Sequence, residues 1–467
     1  MTQQQTIPTP SGTHKYDNPL GFKPIRMMEV EISEPLHDIS TKHTDTDSLY
    51  IEAYILVRLF TQPIGLIHVD LEAGYLSAQA LTDLIWQTLH SEINACLKYN
   101  GLLAITSLDT NGVPRTGIPS YLKEQDAFLH HAPFISIIIP TRERPESLII
   151  TLKDLMDLNY PHYEVIVVDN APTSEATAEV VRQFIHSGRV RYVREECPGI
   201  EWARNRGVAE AKSDIVAFTD DDVRVDRHWL IAIAQAFECD HNVACVTGLT
   251  LPAELEAPSQ LWFEQFGGFN KGFSRRIYDL EQHKPDDRLF PYTAGKFGSG
   301  VNMAIRTSVL RKLSGFDPSL GAGSSARAGG DIDLYFRIVT RGYQLVYEPN
   351  AIIHHFHRRD YAKLHRQIYN YGVGLTAFLT KSVLEQPHRF IDIAKKLPIG
   401  LLYALNPRSA KNAKKQGSYP QELTKLELQG MLYGPLAYLR SRQNVRKQMQ
   451  QRDNQQPYTI TSATEKT

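Results

Sequence analysis

The stretch DIVAFTDDDV, Asp214 to Val223, sets an apolar run too short for a helix directly against three consecutive carboxylates. The run reads as a buried strand, and the acidic turn falls at its C-terminal end, where α/β folds hold their ligands. Asp220, Asp221 and Asp222 repel one another side by side. An ordered turn keeps such a cost when a cation or a hydrogen-bonded ligand compensates it. The three residues therefore suit a divalent metal site for a diphosphate. A solvated acidic turn after a strand is the plainer alternative.

Working outward, the preceding residues alternate between two periods. Phe134 to Ile139 is a short apolar run ended by Pro140. A helical pattern follows from Pro145 to Leu158, then the strand EVIVVD, a helix from Ser174 to His186, the strand RVRYV and a helix from Glu201 to Lys212. Such alternation means βαβ units and a mainly parallel sheet. The strands end in polar residues able to face one crevice: Pro140, Thr141 and Arg142 after the first, Asp169 and Asn170 after the second, Asp220 to Asp222 after the fourth. Asp169 suits a hydrogen bond from a base or ribose, or else caps the next helix. Arg142 and Arg144 suit phosphate or base contacts. Neither a P-loop nor a G-x-G-x-x-G fingerprint occurs at the first strand, so a cation bridging carboxylates and diphosphate is the expected means of neutralising the phosphates.

Further along, FGSGVNMAIRTSVL is glycine-rich and then apolar, as befits a strand passing close to a bound ligand. Gly315-Phe316-Asp317 leads through GAGSSARAGG, a stretch expected to be flexible and to order on ligand binding, to Asp331, Asp333 and a helix. The segment AIIHHFHRR places His354, His355 and His357 after an apolar strand, where a neutral imidazole would complete a metal shell begun by Asp222. The offset to the strand favours His354, then His355; a structural histidine is the alternative.

Together, FISIIIPTRERP, YEVIVVDNAPTS, PGIEWARNRGVAEAKSDIVAFTDDDV and GGDIDLYFRIVTRGYQLVYEPNAIIHHFHR resemble the family 2 glycosyltransferases. The resemblance implies an α/β, GT-A type nucleotide-sugar-binding domain. It implies transfer of a sugar, with inversion, from a nucleoside-diphosphate donor (UDP-, dTDP- or GDP-linked) to a hydroxyl acceptor, which suits cell-envelope or polysaccharide synthesis. It also implies Mn²⁺ or Mg²⁺. FTDDDV matches the family's D-x-D motif, placing Asp220 near the ribose and Asp222 on the metal. Asp169 matches the carboxylate that meets the nucleoside, and Arg204 and Asn205 match an A-R-N element, with helix packing and salt bridging as their plainer reading. Asp331 matches the second residue of an E-D motif and is the expected general base, taking the acceptor hydroxyl's proton. Gly330 stands where many relatives carry Glu. Asp333 is a second candidate base, read more simply as an exposed first-turn residue complementing the helix dipole.

Two other classes remain: a nucleotide-sugar-binding scaffold without turnover, motivated by Gly330 and by the N-terminal module, and a nucleotidyltransferase, for which PTRERP lacks the glycine-rich, lysine-bearing loop.

The 467 residues and net charge of −1 suit a multidomain globular protein and argue against a nucleic-acid binder. Cys96, Cys197, Cys239 and Cys245 form no C-x-x-C pair, which fits a reducing cytosol. The polar N-terminus has no signal-peptide pattern, and no apolar run reaches membrane-spanning length, so a cytoplasmic chain is expected, at most peripheral on the cytoplasmic face of a membrane. The expected divisions are a disordered tail over 1–21, a small α+β accessory module and linker over 22–131, the catalytic domain over 132–360, a helical basic extension over 361–452 and a disordered tail over 453–467. In the first module a short turn containing Pro63 and Gly65 is expected between two runs of an antiparallel sheet, covered by a helix from Ser77 to Asn100. In the extension, RFIDIAKKLPIGLLYALNPRSAKNAKK carries seven Lys/Arg against one acidic residue. With a second basic cluster over 440–452, it suits a surface resting on anionic lipid, or a helical extension whose charges are merely solvated.

Overall fold

The computed structural model describes residues 21–41, 50–114, 117–409, 411–415 and 419–455. The two expected disordered tails lie outside the described residues, except for Gly21 and residues 453–455, the latter being helical. The N-terminal module contains β1 (Arg26–Glu31), β2 (Ile39–Ser40), β3 (Glu52–Leu59), β4 (Gln62–Asp70) and β5 (Tyr75–Leu76). β4 runs antiparallel to β3 as expected, but β1 runs parallel to it. The chain leaves this sheet after β1, pairs β2 with β5 in a separate ribbon, and has the length a parallel return needs.

The hairpin turn is also displaced from its expected place. Phe60 and Thr61 take left-handed φ values of 55° and 68°, and their backbone N–H groups donate to the Glu31 carboxylate at 3.0 and 2.9 Å. That is the conformation a two-residue hairpin loop requires. Pro63 and Gly65 belong instead to β4. A Cβ on Gly65 would come within 2.6 Å of Leu89 Cδ2, so the glycine lets the helix Ala78–Tyr99 lie directly on the sheet. That helix is N-capped by the Ser77 side chain and buries Leu81, Ile85, Leu89, Ile93 and Leu97.

The large sheet is built from β6 (Ile135–Thr141), β7 (Tyr163–Asn170), β8 (Val190–Glu195), β9 (Ile215–Phe218), β10 (Val223–Val225), β11 (Val243–Pro252), β12 (Arg276–Tyr278), β13 (Met303–Arg306) and β14 (Gln344–His355). Its order is β10-β14-β11-β13-β9-β6-β7-β8, with β12 also on β14. β8, β7, β6, β9, β11 and β14 run one way, while β13, β10 and β12 oppose them. Period-2 alternation sends Ile135, Ile137 and Ile139 to a core with the helices Pro145–Met156 and Trp229–Glu238, and Ile138, Ile166 and Val168 to a core with Ile200–Glu210 and Gly330–Thr340. The result is the expected α/β class: three layers with a mainly parallel central sheet, a small N-terminal α+β module and a helical C-terminal extension.

That extension comprises the helices Tyr361–Glu385, Arg389–Leu405 and Gln421–Gln455. The first and last approach so closely that a Cβ on Gly372 would lie 2.0 Å from Glu427 O, and one on Gly434 1.9 Å from Thr376 Oγ1. Among the described residues, no helix is long and apolar enough to cross a membrane.

Candidate active site

The acidic turn follows β9 and is fixed by its neighbours on three sides. Thr141, at the end of β6, donates its hydroxyl to Asp221 Oδ2 at 2.6 Å. Arg144 Nη1 lies 3.1 Å from Asp221 Oδ1 and 2.8 Å from Asp222 Oδ2. Arg358 Nη1 adds a contact at 3.3 Å to the same Asp222 oxygen. Burial and then the Asp222 charge push the Asp221 carboxyl up to about 6. Burial acts on Asp222 too, but His355, Arg144 and Arg358 outweigh it and hold that carboxyl well below the usual range. Asp220 is raised, chiefly by burial, and its Oδ1 accepts no hydrogen bond among the described residues.

The histidine choice is corrected by strand register. β10 pairs with the end of β14 so that Val223 faces His355, and Phe356 N–H donates to Asp222 O at 3.0 Å. His355 Nε2 thereby lies 3.3 Å from Asp222 Oδ1. His354 alternates to the opposite face, where its Nε2 meets Glu29 Oε1 of the N-terminal module at 3.0 Å. Behind His355, its Nδ1 is 3.0 Å from His357 Nδ1, and His357 Nε2 is 2.8 Å from Glu264 Oε1. Such outer partners orient a ligand imidazole. Asp220, Asp222 and His355 offer three donor atoms within 4.8 Å of one another. Two carboxylates and an imidazole nitrogen, with one Asp220 oxygen accepting no hydrogen bond among the described residues, form a set that fits Mn²⁺ or Mg²⁺.

A cavity of about 370 Å³ opens in front of this group, lined by Pro140, Thr141, Arg142, Arg144, Asn170, Ile200, Asp220 to Asp222, Ala322, Gly323 and Arg358. Asp169 is fully buried behind the lining. Its Oδ2 accepts from the Tyr192 hydroxyl at 2.8 Å, while Oδ1 accepts no hydrogen bond among the described residues. Asn170 is occupied locally: its amide donates to Cys197 O and its oxygen accepts from Gly199 N, both at 2.8 Å, fixing the start of the helix Ile200–Glu210. Asn205 likewise clamps Phe316 through both backbone groups, which accounts for it structurally. The loop 321–330 is compact: Ile200 N–H donates to Ala322 O at 2.9 Å, and Gly323 leaves room for the backbone of Gly199.

Asp331 begins the helix Gly330–Thr340, with Oδ2 accepting from Gly300 N at 3.1 Å. Gly300 permits this approach, since a Cβ there would sit 3.0 Å from Asp331 Oδ2. Asp333, expected to be exposed, is buried and paired with Arg337 at 2.8 Å and Lys381 at 2.7 Å. Those cations outweigh burial and lower its carboxyl. Two ion pairs leave it engaged as a strut rather than available as a base.

Sequence reasoning missed Glu201. Its carboxylate is buried, 3.2 Å from Arg204 Nη1, and Arg204 Nη2 reaches Gly300 O at 3.3 Å and Asp220 Oδ1 at 3.9 Å. A Cβ on Gly330 would fall 1.8 Å from Glu201 Oε1. The carboxylate absent at position 330 is thus replaced in space by one from a different helix. The only signal in the sequence was an acidic residue three positions before Arg204 in an otherwise inward-facing helix.

Fold and site together define an α/β protein with a metal-competent acidic crevice at the strand ends. Residues 136–313 match the family model described as "Glycosyl transferase family 2". The mainly parallel sheet with helices on both faces, over that same segment, is of the GT-A type. Among curated relatives, the chain is 27% identical over 227 residues to the pre-mycofactocin glycosyltransferase of Mycobacterium tuberculosis (strain ATCC 25618 / H37Rv), covering 48% of this chain and 43% of the relative. It is 35% identical over 240 residues to the chondroitin synthase of Escherichia coli, covering 47% and 34%. The chain therefore spans less than half the length of these relatives. A looser likeness exists to the structure of a mannosyltransferase from Pyrobaculum calidifontis, at TM-score 0.43 and 16% identity over 67% of this chain and 93% of that one.

Proposed function

We propose that the protein is a metal-dependent, inverting glycosyltransferase that moves a sugar from a nucleoside-diphosphate donor to a hydroxyl acceptor in the cytoplasm. The observation that carries this reading is the Asp220, Asp222 and His355 donor set, whose two carboxylates line the cavity with His355 behind them. Asp222 and His355, with Asp220, would hold Mn²⁺ or Mg²⁺; when bound, the ion offsets the charge that builds on the departing diphosphate. The unpartnered oxygen of Asp169 receives a donor from the nucleoside, and Arg142 and Arg144 meet phosphate or base. Arg204 anchors Asp220 and the Gly300 backbone, keeping the two ends of the crevice in register. Asp331 accepts the proton of the acceptor hydroxyl as its oxygen bonds to the anomeric carbon. The bond from that carbon to the diphosphate oxygen breaks on the opposite face, which inverts the centre.

The test is release of nucleoside diphosphate from UDP-, dTDP- and GDP-sugars with Mn²⁺ or EDTA. Donor-selective release is expected, lost with EDTA, and lowered at least about 10²-fold in Asp222→Ala and in Asp331→Asn. Metal-dependent nucleotide binding without turnover under any acceptor would favour a scaffold. Absence of binding would reject the site.

The acceptor is a saccharide, a lipid-linked intermediate or a small molecule. The basic C-terminal segment favours the lipid-linked class.

A further inference from the structure

The helix Arg389–Leu405 is inside out. Phe390, Ile391, Leu397, Leu401, Leu402 and Leu405 are all exposed, Phe390 by 62% and Leu402 by 67%, and the only buried residue of the helix is Ala404. At helical spacing these positions form one stripe. The opposite stripe, which faces the protein, mixes half-buried Ile393 and Ile399 and the buried Ala404 with polar and aromatic contacts. Lys396 Nζ lies 5.5 Å from the Tyr292 ring, Lys296 Nζ lies 5.0 Å from the Tyr403 ring, and the Arg389 guanidinium sits 4.6 Å over Phe336. A helix that buries so little of its apolar side leaves the exposed stripe for another phase.

We infer that this apolar stripe inserts into the interface of an anionic lipid bilayer and seats the protein on the membrane surface. Three observations choose lipid over other occupants. Lys395 in the helix, and Arg408 and Lys414 shortly after it in sequence, are exposed and make no ion pair among the described residues, which complements anionic headgroups. A two-fold contact with a second copy would bring those like charges together. The residues of the given sequence outside the described ones (1–20, 42–49, 115–116, 410, 416–418 and 456–467) are mostly polar and contain no long apolar run. The length and flanks suit a helix lying in the interface rather than crossing it.

The inference deepens the proposed function in one respect, since a lipid-linked acceptor would be met at that surface. The segment under the helix leads to the site: Gly295 lies against Ile332, next to Asp331.

The experiment is co-sedimentation of the full chain with phosphatidylglycerol-rich vesicles and with phosphatidylcholine alone, read beside donor hydrolysis in solution. Binding is expected to the anionic vesicles only. It should fall at least about tenfold in Leu401→Ser/Leu402→Ser, and comparably in Lys395→Glu/Lys414→Glu, with donor hydrolysis unchanged. Each replaced side chain is exposed, so both variants should fold, checked by an unaltered thermal transition. Failure to bind anionic vesicles, or binding indifferent to Leu401→Ser/Leu402→Ser, overturns the inference. A concentration-dependent dimer that this variant dissolves overturns it as well and gives the face to a second copy. Vesicle binding without hydrolysis would sink the proposed reaction and leave the membrane face standing; the reverse result would do the opposite.

Discussion

Glu201 and Gly330 share one space, and each explains the other. Burial pushes the Glu201 carboxyl up to about 7 against the pull of Arg204, and the Asp331 carboxylate adds to the push. Gly330→Glu should therefore cost on the order of 3 kcal/mol, because a side chain at 330 collides with a buried carboxylate and confronts it with a second negative charge. Adding Glu201→Ala should recover most of the loss, and thermal unfolding of the single and double variants measures the coupling. Equal loss in both would refute the shared-space reading. The raised carboxyl also has a pH consequence. Between the ordinary value of 4.5 and about 7 the folded protein holds a proton that the unfolded chain has released, so stability drains away as pH rises through that window. Glu201→Gln keeps the neutral form throughout. Its stability relative to the parent should rise by about 3 kcal/mol between roughly pH 4 and pH 8, and a pH-independent difference would count against it. None of this was legible in the sequence, because it depends on which two helices meet. The strand-end carboxylates were legible because they follow apolar runs whose ends a sheet must align.

At the scale of elements, the strand and helix assignments from Phe134 to Phe218 needed only hydrophobic period and breakers, and the structure places those elements within a few residues of expectation. The histidine choice failed for a different reason. A strand puts neighbours on opposite faces, but which face looks inward depends on the pairing of β14 with β10, a three-residue strand no local pattern announces. The direction of β1 and the Phe60-Thr61 turn were hidden in the same way. The C-terminal helices carry their own test. Gly434 sits where a Cβ would overlap Thr376 Oγ1 and lie 2.5 Å from Val373 O, so Gly434→Val should force the pair Tyr361–Glu385 and Gln421–Gln455 apart and destabilise by about 3 kcal/mol. Gly400→Ala, whose nearest neighbour is Leu289 Cδ2 at 3.9 Å, should unfold at the parent's temperature.

Across the whole molecule, the contacts that join the N-terminal module to the large sheet include, beside His354 with Glu29, a buried charged one and an apolar one. Arg58 is buried, with Nη2 2.7 Å from Asp226 Oδ2 and Nε 2.8 Å from Glu29 Oε2. Leu56 packs with Leu249, Leu251 and Ile352 beside it. Arg58→Met should cost about 3 kcal/mol, since it leaves Asp226 buried without its cation, and should expose the linker over 100–134 to limited proteolysis. Unchanged melting and digestion would show the contact to be incidental.

β14 is where these pieces become inseparable. One of its two terminal histidines faces the module and the other faces the acidic turn, so the same few residues are floor to one compartment and wall to the next. The stretch that matches the family stops at residue 313, short of both Asp331 and His355. A protein trimmed to that boundary would lose the strand its acidic turn leans on, along with the proposed base, and would bare Leu249 and Leu251. The matched stretch is thus smaller than the unit the proposed reaction needs, and the residues that complete it lie past its edge.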